Sequence, residues 1–295
     1  MDYISAKTIL TPKKDLNWFG TEYNMNLYKG CCHGCIYCDS RSDCYQIERF
    51  DTVRAKENAL TILEQELQNK SKTGVISTGS MSDPYNPQEA VHGLTRKALQ
   101  LVDQYRFGIA IATKSSLLTR DIDILTKIKV HSPVLCKITI TSAEDELSAK
   151  LEPKVCVSSE RFQAVKALAD AGIFTGILMM PLLPYLTDTQ DNVLQIVHRA
   201  KDCGAAFLYP LFGLTLRNGQ REYFYDKLTE LFPERKLKDA YHSQFGMSYV
   251  CQSPRAKELY QIFTAECNRL GILYRMDDII HAYRKEYEYH QYSLF

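Results

Sequence analysis

The sequence predicts an α/β protein: a partial (β/α)6 barrel of the TIM type with a C-terminal helical extension. Short apolar strands alternate with amphipathic helices in units of roughly 30 residues, which calls for a parallel sheet with helical crossovers. The units number about six, too few to close an eight-unit barrel, so the barrel is open. Polar residues recur directly after successive strands, where a parallel barrel gathers its chemistry.

The elements follow in order. Residues 1–27 are rich in turn formers and aromatics and read as an N-terminal extension, with Trp18, Phe19 and Tyr23 as packing residues. Residues 54–69 place Ala55, Ala59, Ile62, Leu63 and Leu67 on one stripe of a helix. Strands are expected at 74–78, 107–113, 134–141, 173–180 and 205–211, and helices at 94–102, 122–128, 159–171 and 187–203. Gly172 and Gly204 close the last two helices. The barrel is thus assigned to 28–212. Residues 213–295 read as a helical region over the barrel opening, with helices at 218–232, 254–270 and 277–289. Tyr241, His242 and Tyr249 between the first two, and Arg255 where the second begins, are candidate channel residues.

A length of 295 residues admits two average domains or one barrel, and 45% hydrophobic with 24% charged residues is ordinary for a globular core. The net charge of +1 carries no electrostatic footprint of nucleic-acid binding. No apolar run reaches transmembrane length, and residues 1–10 lack the layout of a signal peptide. Ten cysteines without an export signal point to a reducing cytoplasm and no membrane partner.

The stretch Gly30-Cys31-Cys32-His33-Gly34-Cys35-Ile36-Tyr37-Cys38 puts Cys31, Cys35 and Cys38 on one short loop. Three thiolates so close, without a fourth at ferredoxin spacing, suit a four-iron cluster with one iron left free of protein. Gly30 and Gly34 suit a loop that wraps such a cluster. A structural zinc site is the other reading, with Cys44 or His33 completing the Cys35–Cys38 pair. It would make the chain a zinc-stabilised, non-catalytic nucleic-acid-binding module. Cys32 and Cys44 read as small unliganded side chains.

This spacing, with Tyr37 directly before the third cysteine, resembles the signature of the radical S-adenosylmethionine (SAM) superfamily. With His33 and Gly34 it resembles the spore photolyase-like branch. The resemblance spans roughly 28–193. It implies a 4Fe-4S cluster on Cys31, Cys35 and Cys38 whose free iron chelates SAM, reductive cleavage of SAM to a 5′-deoxyadenosyl radical, and hydrogen abstraction from substrate. Carried over position by position, it implies SAM contacts from Tyr37, Ser82 with its neighbour Asp83, Lys114, Thr139 and Arg161, and it also matches Glu152. It further implies a flavodoxin- or ferredoxin-type electron donor. Nucleic acid is the first expected substrate, for repair or modification, with a peptide or small metabolite as the alternative.

One departure matters. Spore photolyase proper has a cysteine where this chain has Ser80, and a serine O–H bond is too strong to return a hydrogen atom. Tyr85 and Cys136 are the candidate replacements. The final residues, Gln291-Tyr292-Ser293-Leu294-Phe295, resemble the motif by which bacterial DNA-processing proteins dock on the sliding clamp. A tail folded back on its own core is the other reading.

Overall fold

The computed structural model describes residues 1–79 and 81–288. Ser80, the side chain of Glu288 and the tail 289–295, with its clamp-like motif, lie outside the described residues.

The frame is a seven-stranded sheet of β1 (Leu10–Pro12), β2 (Tyr23–Met25), β3 (Val75–Ser77), β4 (Gly108–Thr113), β5 (Val134–Thr139), β6 (Phe174–Met179) and β7 (Phe207–Pro210). Spatial order follows chain order, and β2 to β7 pair in parallel while β1 pairs antiparallel with β2 at the edge. The crossovers are α1 (Ala59–Gln68), α2 (Leu94–Gln104), α3 (Ile122–Lys129), α4 (Ser158–Asp170) and α5 (Gln190–Asp202). Six parallel strands wound in one direction make the partial barrel that the alternating pattern predicts.

Period-two alternation sorts the strand side chains. On β5, Val134, Cys136 and Ile138 join the core beneath the helices, while Leu135, Lys137 and Thr139 turn into the barrel. On β4, Ile109 and Ile111 face the helices and Ala110 the interior. Gly176 on β6 has no alternative: a Cβ there would stand 2.3 Å from the ring of Phe207 on β7.

Two expected boundaries change. Residues 1–27 are not an appendage, because they supply β1 and β2; three-residue strands whose partners lie far along the chain leave little periodicity to read. The region 213–295 divides into three parts. A hairpin, Gly213–Thr215 with Val250–Gln252, frames α6 (Gln220–Leu231) and α7 (Leu237–Phe245), which share a core with Cys35, Ile36 and Tyr37. Next, α8 (Ala256–Leu270) packs on α5 and completes the sixth β/α unit. Finally, α9 (Met276–Glu288) seals the barrel floor, where Ile279 and Tyr283 meet Phe19, Val75, Leu135 and Phe207.

The lateral gap left by the missing strands is filled from the N-terminal side. Trp18 stands edge-on to Tyr209 of β7 at 5.4 Å, and Phe19 lies 5.8 Å from Phe207. The Tyr283 hydroxyl donates to the Phe19 carbonyl at 2.6 Å, tying this turn to α9. Among the described residues no helix is long and apolar enough to cross a membrane.

Candidate active site

The cysteine loop leaves the C-terminal end of β2, as a parallel barrel requires. A short ladder between Tyr28–Lys29 and Arg54–Lys56 clips its two ends together. Gly30 makes the first turn at φ +81°, and a Cβ there would fall 2.4 Å from the Thr52 carbonyl oxygen. The Cys31 amide donates to Phe50 O at 2.8 Å, and Ser82 Oγ to Gly30 O at 2.6 Å. Further along, Ile36 N donates to Leu151 O at 3.0 Å and Gln220 Nε2 to Tyr37 O at 3.2 Å. The loop is thereby fixed to the β3 end, the segment after β5, and α6.

Cys31, Cys35 and Cys38 open on one cavity of about 860 Å³, together with Tyr37, Ser82, Asp83, Lys114 and Thr139. This volume lies in the upper range for small-molecule sites and leaves room for a substrate beside a nucleoside-sized cofactor. Cys32 and Cys44 do not line it.

The chemistry of the donor set fits an iron–sulfur cluster. Burial pushes the Cys31 thiol up to about 12 and the Cys35 thiol well above its ordinary value. Each of the two also feels Cys38. Such thiols stay protonated until a metal compensates the thiolate charge. Among the described residues no three His, Cys, Asp or Glu side chains converge as one ion demands. A cube held at its corners accepts thiols set farther apart. Lys114 is half-buried at the cavity wall; burial opposes its charge, but Cys35, Glu152 and Cys38 more than offset this, and its pKa rises.

Around this group, Asp83 is a brace. One carboxylate oxygen accepts from Tyr85 N at 2.8 Å and Thr113 Oγ1 at 2.6 Å, the other from Lys114 N at 2.8 Å. His33 Nδ1 lies 3.4 Å from the latter oxygen. The carboxylate thus fixes the β3 and β4 ends to the cysteine loop.

Three expectations change. Arg161 does not line the cavity: it is sealed on α4, ion-paired with Glu152 at 2.5 Å and donating to Cys156 O and Thr139 O. Glu152 in turn accepts from the Tyr37 hydroxyl, so Arg161 acts on the site through the backbone and Tyr37. Cys136 faces the helices because its strand parity is opposite to that of Thr139. Tyr85 lies in the same outer core, its hydroxyl bonded to Asp121 at 3.0 Å. The channel candidates also fall elsewhere: Tyr241 is buried against Pro184 O, Tyr249 accepts from Arg217, Arg255 pairs with Glu258, and none of these, nor His242, lines the cavity.

The sequence reading missed residues at the other end of the cavity: Lys13, Trp18, Asn24 and Lys137. For Lys137 a signal existed, a lone charge inside an apolar strand at the same parity as Thr139. For the others there was none, since β1 and β2 were not legible as strands.

The frame is an open parallel barrel with three thiols on the loop after β2. The family model of the radical SAM superfamily matches residues 25–200, and the chain belongs to that superfamily. An uncharacterized protein of Methanocaldococcus jannaschii is 34% identical over 190 residues, 63% of this chain and 69% of that one. An uncharacterized protein of Mycobacterium tuberculosis is 28% identical over 219 residues, 72% of this chain, which spans 64% of that relative's length. Among solved structures, a spore photoproduct lyase complexed with dinucleoside spore photoproduct aligns with a TM-score of 0.63 at 15% identity, over 91% of this chain and 79% of that one. The radical SAM methyltransferase TsrM from Kitasatospora setae, with tryptophan substrate and a SAM analogue, aligns at TM-score 0.54 and 11% identity, over 84% of this chain and 51% of that one. These structural likenesses are of fold.

Proposed function

We propose that Cys31, Cys35 and Cys38 hold the cluster, that SAM lies against Tyr37, Ser82, Lys114 and Thr139, and that the substrate is nucleic acid, repaired or modified after loss of a hydrogen atom. When bound, the cofactors supply the electron and the 5′-deoxyadenosyl radical for that abstraction. The observation that carries the reading is the opening of all three thiols, Lys114 and Thr139 on one cavity.

The chain's own residues then have distinct tasks. The Lys114 ammonium offers a point charge to the carboxylate of SAM. The Thr139 hydroxyl, facing the cavity, offers a bond to the ribose. Ser82 already donates to Gly30 O and keeps lone pairs for the SAM amino group. Asp83 and Arg161 position these groups without touching the ligand. Tyr85 and Cys136 are not carried forward as hydrogen donors.

The nucleic-acid reading is supported by the fold likeness to a lyase whose structure holds a dinucleoside photoproduct. A flavodoxin- or ferredoxin-type donor, a cytoplasmic setting, and clamp docking through Gln291–Phe295 belong to the same reading. A small metabolite or peptide is the second reading, favoured by the enclosed end of the cavity at Lys137.

The test is anaerobic reconstitution with iron and sulfide, followed by dithionite and SAM. A brown protein that forms 5′-deoxyadenosine is expected. A colourless zinc protein, or a loaded cluster that leaves SAM intact, overturns the assignment. Ultraviolet-treated oligonucleotides tested against peptide and metabolite pools then separate the substrate classes, the expected result being turnover of the oligonucleotides alone.

A further inference from the structure

The cavity has a second charged end that the cofactor contacts do not use. Lys137 sits two residues before Thr139 on β5, with the same parity, one layer deeper in the barrel. Its side chain is enclosed, only 1% exposed, yet it lines the cavity. Its ammonium stands 4.4 Å from the centre of the Phe19 ring, and among the described residues it meets no carboxylate or other hydrogen-bond acceptor. Lys13 lines the same end and acts on Lys137 as a like charge. It is anchored by a bond to Thr21 Oγ1 at 2.7 Å. One nearby carboxylate, Asp15, is exposed, acts on Lys13, and accepts from the amide of Asn17. Two amines therefore face this end of the cavity, and of the two carboxylates that act on Lys13, Asp15 is exposed and Glu22 already accepts from Val75 N and Arg284.

An enclosed cation without a counter-ion is costly, and folds remove such groups unless a ligand uses them. The ring of Phe19 offsets part of that cost but offers no site for ammonium hydrogens. Trp18, partly exposed beside this end, gives the ligand's adjoining portion an aromatic edge.

We propose that Lys137 and Lys13 form an anion-binding subsite that holds a phosphate or carboxylate of the substrate, away from the cysteine loop and with the reacting carbon toward Thr139. This rests on the radical SAM reading of the same cavity and narrows its substrate to an anion.

The test uses the full chain as purified and does not depend on the cluster. Lysine acylation by acetic anhydride at pH 7 is followed residue by residue by mass spectrometry, in graded inorganic phosphate or succinate. Only the neutral amine reacts, and burial leaves Lys137 with a pKa of about 7. An anion that raises this by one unit cuts the neutral fraction about fivefold. The expected result is slowing of Lys137 by about that factor, with Lys13 protected over the same concentration range and exposed Lys166 unaffected. Protection by phosphate alone assigns a phosphorylated substrate, and protection by succinate a carboxylate. Unchanged acylation of Lys137 in both anions overturns the subsite. In a second arm, Lys137→Arg retains anion protection of Lys13 and Lys137→Met loses it; equal protection in both overturns the pairing of the two lysines. Formation of 5′-deoxyadenosine by the reconstituted protein is scored separately, so the cofactor reading and the subsite fail independently.

Discussion

Lys114, half-buried, and Lys137, enclosed, open on one cavity, yet their surroundings treat the charge in opposite ways. Beside Lys114 stand Cys35, Glu152 and Cys38, and the charge is favoured; beside Lys137 stand a ring and another lysine, and burial dominates. On the proposed placement of SAM, replacing Lys114 by Met removes a charged partner of the ligand and should weaken SAM binding about 10- to 100-fold in equilibrium titration, the equivalent of about 1.5–3 kcal/mol. Replacing Lys137 by Met should instead stabilise the fold. Its folded pKa of about 7 lies below the ordinary 10.5, so the penalty is full below the folded value and fades as pH rises toward the unfolded one. Urea unfolding should show a gain on the order of a few kcal/mol near pH 6–7 that shrinks by pH 10. A residue that costs stability this way is more readily explained by a ligand than by packing. Single residues were only partly legible in the sequence. Cys31, Cys35, Cys38, Ser82, Lys114 and Thr139 could be placed because strand ends and spacing fix them. Arg161 could not, because its role turns on the buried Glu152 opposite it. Glu152→Gln should show that dependence: breaking a sealed ion pair leaves Arg161 uncompensated, at about 3–5 kcal/mol in thermal or urea unfolding.

At the scale of elements, the cysteine loop is held from outside its own sequence. Its first turn needs Gly30 both for φ +81° and for the approach of Thr52 O, and its far side hangs on backbone bonds to Leu151 O and from Gln220. Gly30→Ala therefore combines a left-handed backbone with a clash against carbonyl oxygens. It should lower stability by about 2–4 kcal/mol and reduce iron uptake in a colorimetric assay, whereas Gly93→Ala, where nothing lies within 4 Å of the added methyl, should keep full iron content. The helices were legible within a few residues, since each carries a long apolar stripe and a clear end. The strand Tyr23–Met25 was not, and neither was α7, where Leu237, Tyr241 and Phe245 share a face but polar neighbours and a left-handed residue, Lys236, mask the start.

At the scale of the whole molecule, the barrel is closed by pieces that a count of β/α units does not reveal. Alternation gave five of the six parallel strands in chain order, and with them the end of the sheet where chemistry collects. It could not say what occupies the missing wall, because that depends on contacts between the two ends of the chain. The turn carrying Trp18 and Phe19 spans from the β1 edge to Tyr209 and Phe207 on β7, and α9 lies across the floor beneath it. The ties that hold α9 include Tyr283 Oη to Phe19 O at 2.6 Å, Arg284 Nη2 to Glu22 Oε1 at 2.7 Å, and Tyr287 Oη to Lys129 O at 2.7 Å. Ending the chain at Arg275 should therefore do more than remove a surface helix. It strips the cover from Val75, Leu135 and Phe207 and lets water reach Lys137 from below. Hydration would then relieve the burial that lowers the lysine's pKa, so its acylation at pH 7 should fall toward that of an ordinary surface lysine. Hydrogen exchange should quicken in β3, β5 and β7 while α3 and α5 keep their protection. Uniform loss of protection across the sheet and its helices would show instead that α9 is required for the fold as a whole, and the view of it as a separate floor would be wrong.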